Sequence, residues 1–259
     1  MIALVDADSL LYKVGFAIEE RVIWNEMEVL AGLELEKDES YYTDIKQCYR
    51  TFDQLMSNVT CATDCDASFL IFSGTDNFRL SLPTSYKENR KDFRKPTGYR
   101  EILDYAIETY NTKTVHGIEA DDYVVWLKMS APEDYIVCAI DKDVLYQTEG
   151  THYNHHTGEE VEVREKDAIR FAYFQTLVGD SSDGYKGCPG IGAVKAGKLL
   201  DGLKTEREMW EAVVAAYEKK GLTEEDALWI MRLANMRQFD GTKVNYWEAP
   251  KPVDNQQVT

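Results

Sequence analysis

Long apolar runs are missing from this chain of 259 residues. No stretch approaches the ~18 consecutive apolar residues that a spanning helix needs, which argues against a membrane partner. The opening MIALVDADSLLY places Asp6 and Asp8 where a signal peptide would be continuously apolar, so a cytoplasmic protein is expected. Cysteine is sparse and odd in number, with five residues at 48, 61, 65, 138 and 188. A chain with 44% hydrophobic residues can bury a full core without staples, and reduced thiols are expected. Zinc lacks its ligands, because Cys61 and Cys65 have no companion pair and His116, His152, His155 and His156 lie far off in sequence. Internal repeats and low-complexity tracts are also missing.

The largest deficit is in positive charge: 29 Lys and Arg face 46 Asp and Glu, for a net charge of −17. Nucleic-acid binding normally rests on a basic surface that displaces counterions from phosphates, so the overall balance opposes such a partner. Metal ligands must be acidic, however, and the cations present are unevenly spread. The segment YKENRKDFRKPTGYR (86–100) holds Lys87, Arg90, Lys91, Arg94, Lys95 and Arg100 against only Glu88 and Asp92. A local basic patch therefore survives in an acidic protein.

Three short apolar runs, IALV (2–5), SFLIF (68–72) and YIVCAI (135–140), lack strict alternation, as expected of strands buried on both faces of a parallel sheet. YREILDYAIETY (99–110) and EADDYVVWLKM (119–129) carry helical patterns between them, the second acidic at its start as suits a helix N-terminus. The alternation predicts an α/β domain over 1–165 with a mainly parallel central sheet flanked by helices. Residues 166–250 read as helical: EKDAIRFAYFQTLVG, VKAGKLLDGL, EREMWEAVVAAYEKK and EEDALWIMRLANMR. Thr205 with Glu208, and Thr223 with Asp226, resemble capping boxes. KPVDNQQVT (251–259) reads as a polar tail.

Nine acids stand at four places in this pattern. Asp6 ends the first strand with Asp8 two residues on, and Asp141 ends the third with Asp143 two residues on. Glu119, Asp121 and Asp122 open a helix, while Asp180 and Asp183 lie in GDSSDG. Taken singly, each acid is an ordinary cap, turn or surface residue. Together they gather at the strand ends where open α/β sheets bind ligands. Carboxylates so placed repel one another unless cations neutralise them, and hard oxygen ligands select magnesium or manganese. Two such ions can hold a scissile phosphate between an activated water and the leaving oxygen.

Two further segments suit a nucleic-acid backbone. KGCPGIGAVKAGKLL has the pattern of a helix-hairpin-helix turn over 185–200, in which Gly190 and Gly192 let backbone amides approach a phosphate, with Lys195 beside them. The alternative is a glycine-rich helix connection. In the basic segment, Tyr86, Phe93 and Tyr99 are interleaved with cations, so bases could stack while phosphates are neutralised. Its alternative is a solvated basic loop.

The set VDADSL, FSGTDNFR, SYKENRK with KPTGY, GIEADDYV, AIDKDVLYQ and GDSSDGYKGCPGIGAVKAGKLL resembles, in the same order, the 5′-to-3′ exonuclease and flap-endonuclease superfamily, with closest likeness to its bacteriophage exonucleases. The resemblance spans residues 2 to 204. It implies a PIN-like nuclease domain, a helical arch over 78–112, and a helix-three-turn-helix motif that binds duplex or flapped DNA, with RNA–DNA hybrids as a further candidate substrate. Asp6, Glu119, Asp121 and Asp141 resemble ligands of one metal region, and Asp122, Asp143, Asp180 and Asp183 the remaining acids. Lys87 and Arg90 resemble residues that contact the scissile phosphate, with Arg94 and Lys95 further along the DNA path. Gly190 and Gly192 resemble hairpin residues whose carbonyls bind potassium. Where the family carries an acid after the second strand, this chain has Ser73 and Gly74, leaving Asp76 as the nearest substitute, in water-mediated contact with metal; Asp8 is a further candidate for direct or outer contact with metal. The expected enzyme is a monomeric, magnesium- or manganese-dependent 5′-to-3′ nuclease with two ions, acting in a bacterial host if phage-encoded.

Two other readings are weaker. A haloacid-dehalogenase-type phosphatase would use Asp6 as nucleophile within VDADSL, but leaves the hairpin and the basic segment without a role. A non-catalytic DNA-binding homologue would gain nothing from repulsive carboxylates beside phosphates.

Overall fold

The computed structural model describes residues 1–24, 38–90 and 93–251. Lys91 and Asp92 of the basic segment, and 252–259 of the expected tail, lie outside the described residues. β1 (Ile2–Asp6) runs parallel to β4 (Ala67–Asn77) on one side and to β6 (Tyr135–Ala139) on the other. β5 (Thr112–Gly117) joins β4 in parallel at one edge. At the other edge β7 (Gly150–Asn154) pairs parallel with β6 and antiparallel with β8 (Glu159–Val163), giving the order β5-β4-β1-β6-β7-β8. β2 (Glu20–Ile23) and β3 (Glu39–Tyr42) form a separate antiparallel pair.

The apolar runs expected at 2–5, 68–72 and 135–140 are the three central strands, continuous in hydrophobicity because both faces are covered. Ala3, Val5, Leu70, Phe72 and Cys138 face a core built with α1 (Asp8–Ile18), α2 (Ile45–Ala62) and α3 (Tyr99–Thr109). Leu4, Ile71, Val137 and Ala139 face the opposite core, beneath α4 (Ala120–Ser130) and the short α5 (Lys142–Leu145). The period of two in a strand divides these residues between the faces.

The helical arch expected over 78–112 requires correction. Among the described residues of 78–98 there are two 3-10 turns, Phe78–Ser81 and Glu88–Arg90, and no α-helix; the α-helix of the segment, α3, starts only at Tyr99. Pro83 and Pro96 oppose helix continuation there. The helical period at 99–110 belongs to α3, whose Ile102 and Ala106 are buried in the sheet core.

α6 (Glu165–Val178), α7 (Ala193–Leu200), α8 (Glu206–Glu218) and α9 (Glu224–Ala234) share their own core of Tyr173, Leu177, Ala196, Trp210, Val213, Tyr217 and Met231. Thr205 and Thr223 close reciprocal boxes with Glu208 and Asp226, each cap contributing about 1 kcal/mol. α6 ends at Gly179, where β9 (Gly179–Asp180) turns through the acidic loop and returns antiparallel as β10 (Tyr185–Lys186). A Cβ on Gly179 would lie 2.2 Å from the Gly187 nitrogen, and one on Gly187 would lie 2.4 Å from the Gly179 nitrogen. Two backbones touch there with no room for a side chain between them.

Candidate active site

The carboxyl ends of β1, β4 and β6 open onto one pocket of about 520 Å³. Asp6, Asp8, Glu119, Asp121, Asp141 and Asp183 line it, together with Lys87, Arg90 and Lys142. Each acid arrives by a local device. Asp6 is the last residue of β1, and Asp8 opens α1. Glu119 caps α4 and Asp121 lies in its first turn. Asp141 caps α5, its Oδ1 accepting from Asp143 N at 2.8 Å. Asp183 sits in the β9–β10 turn, where Asp180 Oδ1 accepts from Asp183 N at 3.2 Å and from Ser182 N at 2.7 Å.

Crowding is legible in the acidities. Burial, then the charges of Asp8 and Asp141, push the Asp6 carboxyl up to about 8. Asp121 is raised well above the carboxylate range by burial and by Asp6. Burial also raises Asp8 and Asp183, and Asp143 reaches about 7 through burial and the charge of Asp141. Such carboxyls resist sharing a pocket as anions, and a cation among them removes that penalty.

Three basic side chains answer part of this charge. Lys87 Nζ donates to Glu119 Oε1 and lies 3.9 Å from Asp183 Oδ1. Its backbone is left-handed, with φ +54, a conformation that costs a non-glycine residue about 1 kcal/mol and is held here by Lys87 N donating to Asp183 O at 2.7 Å. Arg90 Nη2 donates to Asp183 Oδ1 at 2.6 Å. Lys142 Nζ donates to Asp180 Oδ2 and stands 3.6 Å from Asp143 Oδ1. Burial opposes ionisation of Asp180, but the hydrogen bonds from Lys142 and Ser182 prevail and bring it to about 2.

The nine acids therefore do not act alike. Asp143 and Asp180 lie behind the pocket wall, bridged by Gln175 Nε2 at 2.8 and 3.4 Å. Asp122 faces away: Arg79 donates to its two oxygens at 2.6 and 2.8 Å, and Glu119 N donates to Oδ2 at 3.1 Å. Its expected place among the metal ligands is therefore corrected, because a fully buried guanidinium occupies both oxygens. Asp76 is also corrected. It is exposed, accepts from Gly117 N at 3.0 Å, stands 3.2 Å from His116 Nδ1, and does not line the pocket. Asp8 instead reaches the end of β4, its oxygens accepting from Ser73 N at 3.0 and 3.2 Å. Ser73 Oγ in turn accepts from Ala120 N at 2.9 Å.

The basic segment divides as well. Tyr86 is buried and cannot stack on a base; its hydroxyl donates to Glu119 Oε2 at 2.6 Å. Tyr99 packs against Tyr12, with ring centroids 5.3 Å apart, whereas Phe93 is 70% exposed. Arg94 lies away from the acid pocket, its charge paired with Glu19 and its guanidinium 3.9 Å above the Tyr41 ring. Lys95 and Phe93 line a neighbouring cavity of about 600 Å³ with Tyr12, Asn89, Arg90 and Ser182. In the hairpin, Gly190 has φ +74, which only glycine adopts freely, while Gly192 caps α7 in extended geometry with open space at its Cβ position. Lys195 Nζ donates to Gly190 O at 2.9 Å.

Sequence patterning does not single out Arg79, Lys142, Gln175 or Ser73. Arg79 and Lys142 sit inside the motifs NFR and DKD, but their partners lie 38 or more residues away. Among the described residues no three carboxylates already stand at closed metal-cage spacing. An open ring of oxygens suits magnesium, which keeps several waters and takes few protein ligands. Neither histidine nor cysteine lines the pocket, so the donor set is hard and fits magnesium or manganese. Among the described residues no helix is long and apolar enough to cross a membrane.

No protein-family model matches the chain. The exonuclease of Escherichia phage T7 is 25% identical over 274 residues, covering 92% of this chain and 89% of that protein. The exodeoxyribonuclease of Enterobacteria phage T3 is 31% identical over 162 residues, covering 60% of this chain and 53% of that protein. Among solved structures, the bacteriophage T5 flap endonuclease in a pseudo-enzyme-product complex with DNA and metal ions superposes with a TM-score of 0.67 at 16% identity, over 91% of this chain and 89% of that one. The T5 5′-exonuclease with bound zinc gives 0.63 at 16% identity, covering 92% and 90%. The catalytic core of Rad2 in complex with DNA substrate gives 0.53 at 13%, covering 96% and 83%. At these identities the structural likenesses speak for a shared fold.

Proposed function

We propose that this chain, a member of the 5′-to-3′ exonuclease and flap-endonuclease superfamily, hydrolyses phosphodiester bonds in DNA with the help of divalent metal ions. The observation that carries this reading is the convergence of six carboxylates with Lys87 and Arg90 in one open pocket, beside a helical layer bearing a glycine hairpin. Asp6, Glu119, Asp121 and Asp141 would hold one magnesium or manganese ion, and Asp143, Asp180 and Asp183 a second, with Asp8 assisting from the Ser73 side. When bound, the two ions supply an activated water and a charge partner for the leaving oxygen. Lys87 and Arg90 neutralise the scissile phosphate, and Tyr86 holds Glu119 in place. Asp180 keeps its charge through Lys142, which orients the pair behind the wall.

The division into a nuclease domain over 1–165, a helical DNA-binding region over 166–250 and a terminal tail belongs to the same proposal, as do monomeric action, residence in the host cytoplasm and activity on RNA–DNA hybrids. Potassium at the hairpin carbonyls would have to displace the Lys195 ammonium from Gly190 O. Cleavage of labelled duplex, flap and hybrid substrates, each with 5′ or 3′ label, is expected to need magnesium or manganese and to stop with excess chelator. Full activity in chelator would reject the mechanism.

The hairpin is expected to contribute uniform binding away from the reacting bond. Gly192→Val has open space at the Cβ and loses only a modest cap, so the fold should survive. It is expected to raise the apparent KM on long duplex DNA by ~10-fold while leaving kcat within about threefold, the pattern of lost ground-state binding. Equal losses on short single strands and long duplexes would instead indicate misfolding.

A further inference from the structure

We infer that Arg79 is a positioning residue that sets the Glu119 carboxylate and ties it to the last turn of α9; the inference rests on the nuclease reading above. Arg79 lies in the 3-10 turn after β4 with no exposed surface, and its donors are fully engaged. Nη1 reaches Asp122 Oδ2 at 2.6 Å and Glu119 Oε2 at 3.3 Å; Nη2 reaches Asp122 Oδ1 at 2.8 Å. The remaining bonds run to the end of α9 and the residues just after it, from Nε to Leu233 O at 3.0 Å and from Nη2 to Asn235 O at 3.3 Å and Met236 Sδ at 3.1 Å. Despite burial, the charges of Asp122 and Glu119 keep the guanidinium firmly ionised.

Glu119 Oε2 is thereby held between Arg79 and the Tyr86 hydroxyl, and Oε1 is the oxygen beside Lys87 at the pocket. The turn that receives Arg79 is anchored a second time: Gln147 Nε2 donates to Ala234 O at 2.7 Å, and Gln147 Oε1 accepts from Met236 N at 2.9 Å. α9 packs against α6 and α8 in the core that also holds Ala196 of α7, the helix the hairpin leads into. A continuous set of bonds and packed side chains thus runs from the hairpin layer to one pocket carboxylate. Cohesion alone does not require it, since a buried ion pair exchanged for neutral side chains of similar volume is often neutral or stabilising. The fixed fork of a guanidinium supplies what a neutral pair lacks, simultaneous direction toward two carboxylates and two carbonyls.

Single removal of Arg79 would strand a buried carboxylate, so the informative variant is Arg79→Met combined with Asp122→Asn, which keeps an oxygen for Glu119 N and leaves no unpaired charge. The readouts are the thermal midpoint, manganese affinity by calorimetry without DNA, the single-turnover rate at saturating magnesium and substrate, and KM. The double variant is expected to melt at or above the wild-type temperature, to bind manganese ~10-fold more weakly and to cleave ~10- to 100-fold more slowly, the scale for lost outer-shell support. KM should stay within about threefold, since DNA binding is made elsewhere. Arg79→Lys, which keeps the charge without the fork, should show the same direction of change in affinity and rate. Wild-type affinity and rate in a double variant that melts normally would overturn the inference. If that variant does not fold, unchanged affinity and rate in Arg79→Lys would overturn it equally. Absence of cleavage by the wild-type protein would reject the nuclease reading, and the manganese affinities would still decide the role of Arg79.

Discussion

Asp141→Asn is expected to lower the single-turnover cleavage rate by ~100-fold or more while leaving the thermal midpoint close to wild type, because an oxygen is lost where transition-state charge is stabilised. The structural basis is the double use of this side chain. As the cap of α5 it accepts from Asp143 N at 2.8 Å, and asparagine retains an oxygen able to do so. As a wall of the pocket it contributes negative charge beside Asp6 and Asp143, and asparagine does not. Fold and activity should therefore separate. Rates measured at saturating enzyme, together with thermal unfolding, check both halves, and a rate within a few-fold of wild type would remove Asp141 from the reacting centre.

Lys87→Ala should reduce the saturated rate by ~10² or more, the scale for a lost electrostatic stabiliser. Alanine has the same left-handed penalty as lysine at φ +54, so the backbone contribution nearly cancels and the ammonium is what is tested. Its site beside Glu119 and Asp183 places the charge over the reacting phosphate in the proposed complex. A tether acting only on the DNA backbone would behave in the opposite way, weakening affinity and reducing its salt slope by about one counterion with the saturated rate unchanged. The paired measurement is the rate at saturating enzyme and the affinity across salt with calcium in place of magnesium. An unchanged rate would leave Lys87 as a charge partner of Glu119 with no part in the reaction.

Why some of this was readable in sequence and some was not follows from burial. β1, β4 and β6 stand out because both faces are covered, leaving unbroken apolar runs. β5 reads TKTVHG, an edge strand in which only Val115 is buried, and it gives no pattern. β8, at the opposite edge, and its neighbour β7 are likewise mostly polar and give no apolar run. α2 does carry a helical pattern, with Cys48, Phe52, Met56 and Val59 on one face. For the site, strand ends and helix starts located the acids. Their division was not readable, because it depends on pairings such as Arg79 with Asp122, made across 43 residues of sequence, and on Tyr86 turning inward to Glu119 instead of outward to bases.

The contact between Gly179 and Gly187 gives the molecule a rivet. Everything between the two glycines is the acidic loop, and the chain just beyond Gly187 is the hairpin, so the point where the backbones touch fixes the spacing of one to the other. Surface helices such as α8 can exchange outward residues freely, but a single methyl at either glycine would wedge this joint open. Gly179 is further restricted by φ +77, so there even a side chain that found space would distort the turn. Two residues without side chains thus impose a tight tolerance beside the acidic loop, and they do so without contributing a charged group, by setting the gauge between the loop that carries Asp180 and Asp183 and the turn that carries Gly190.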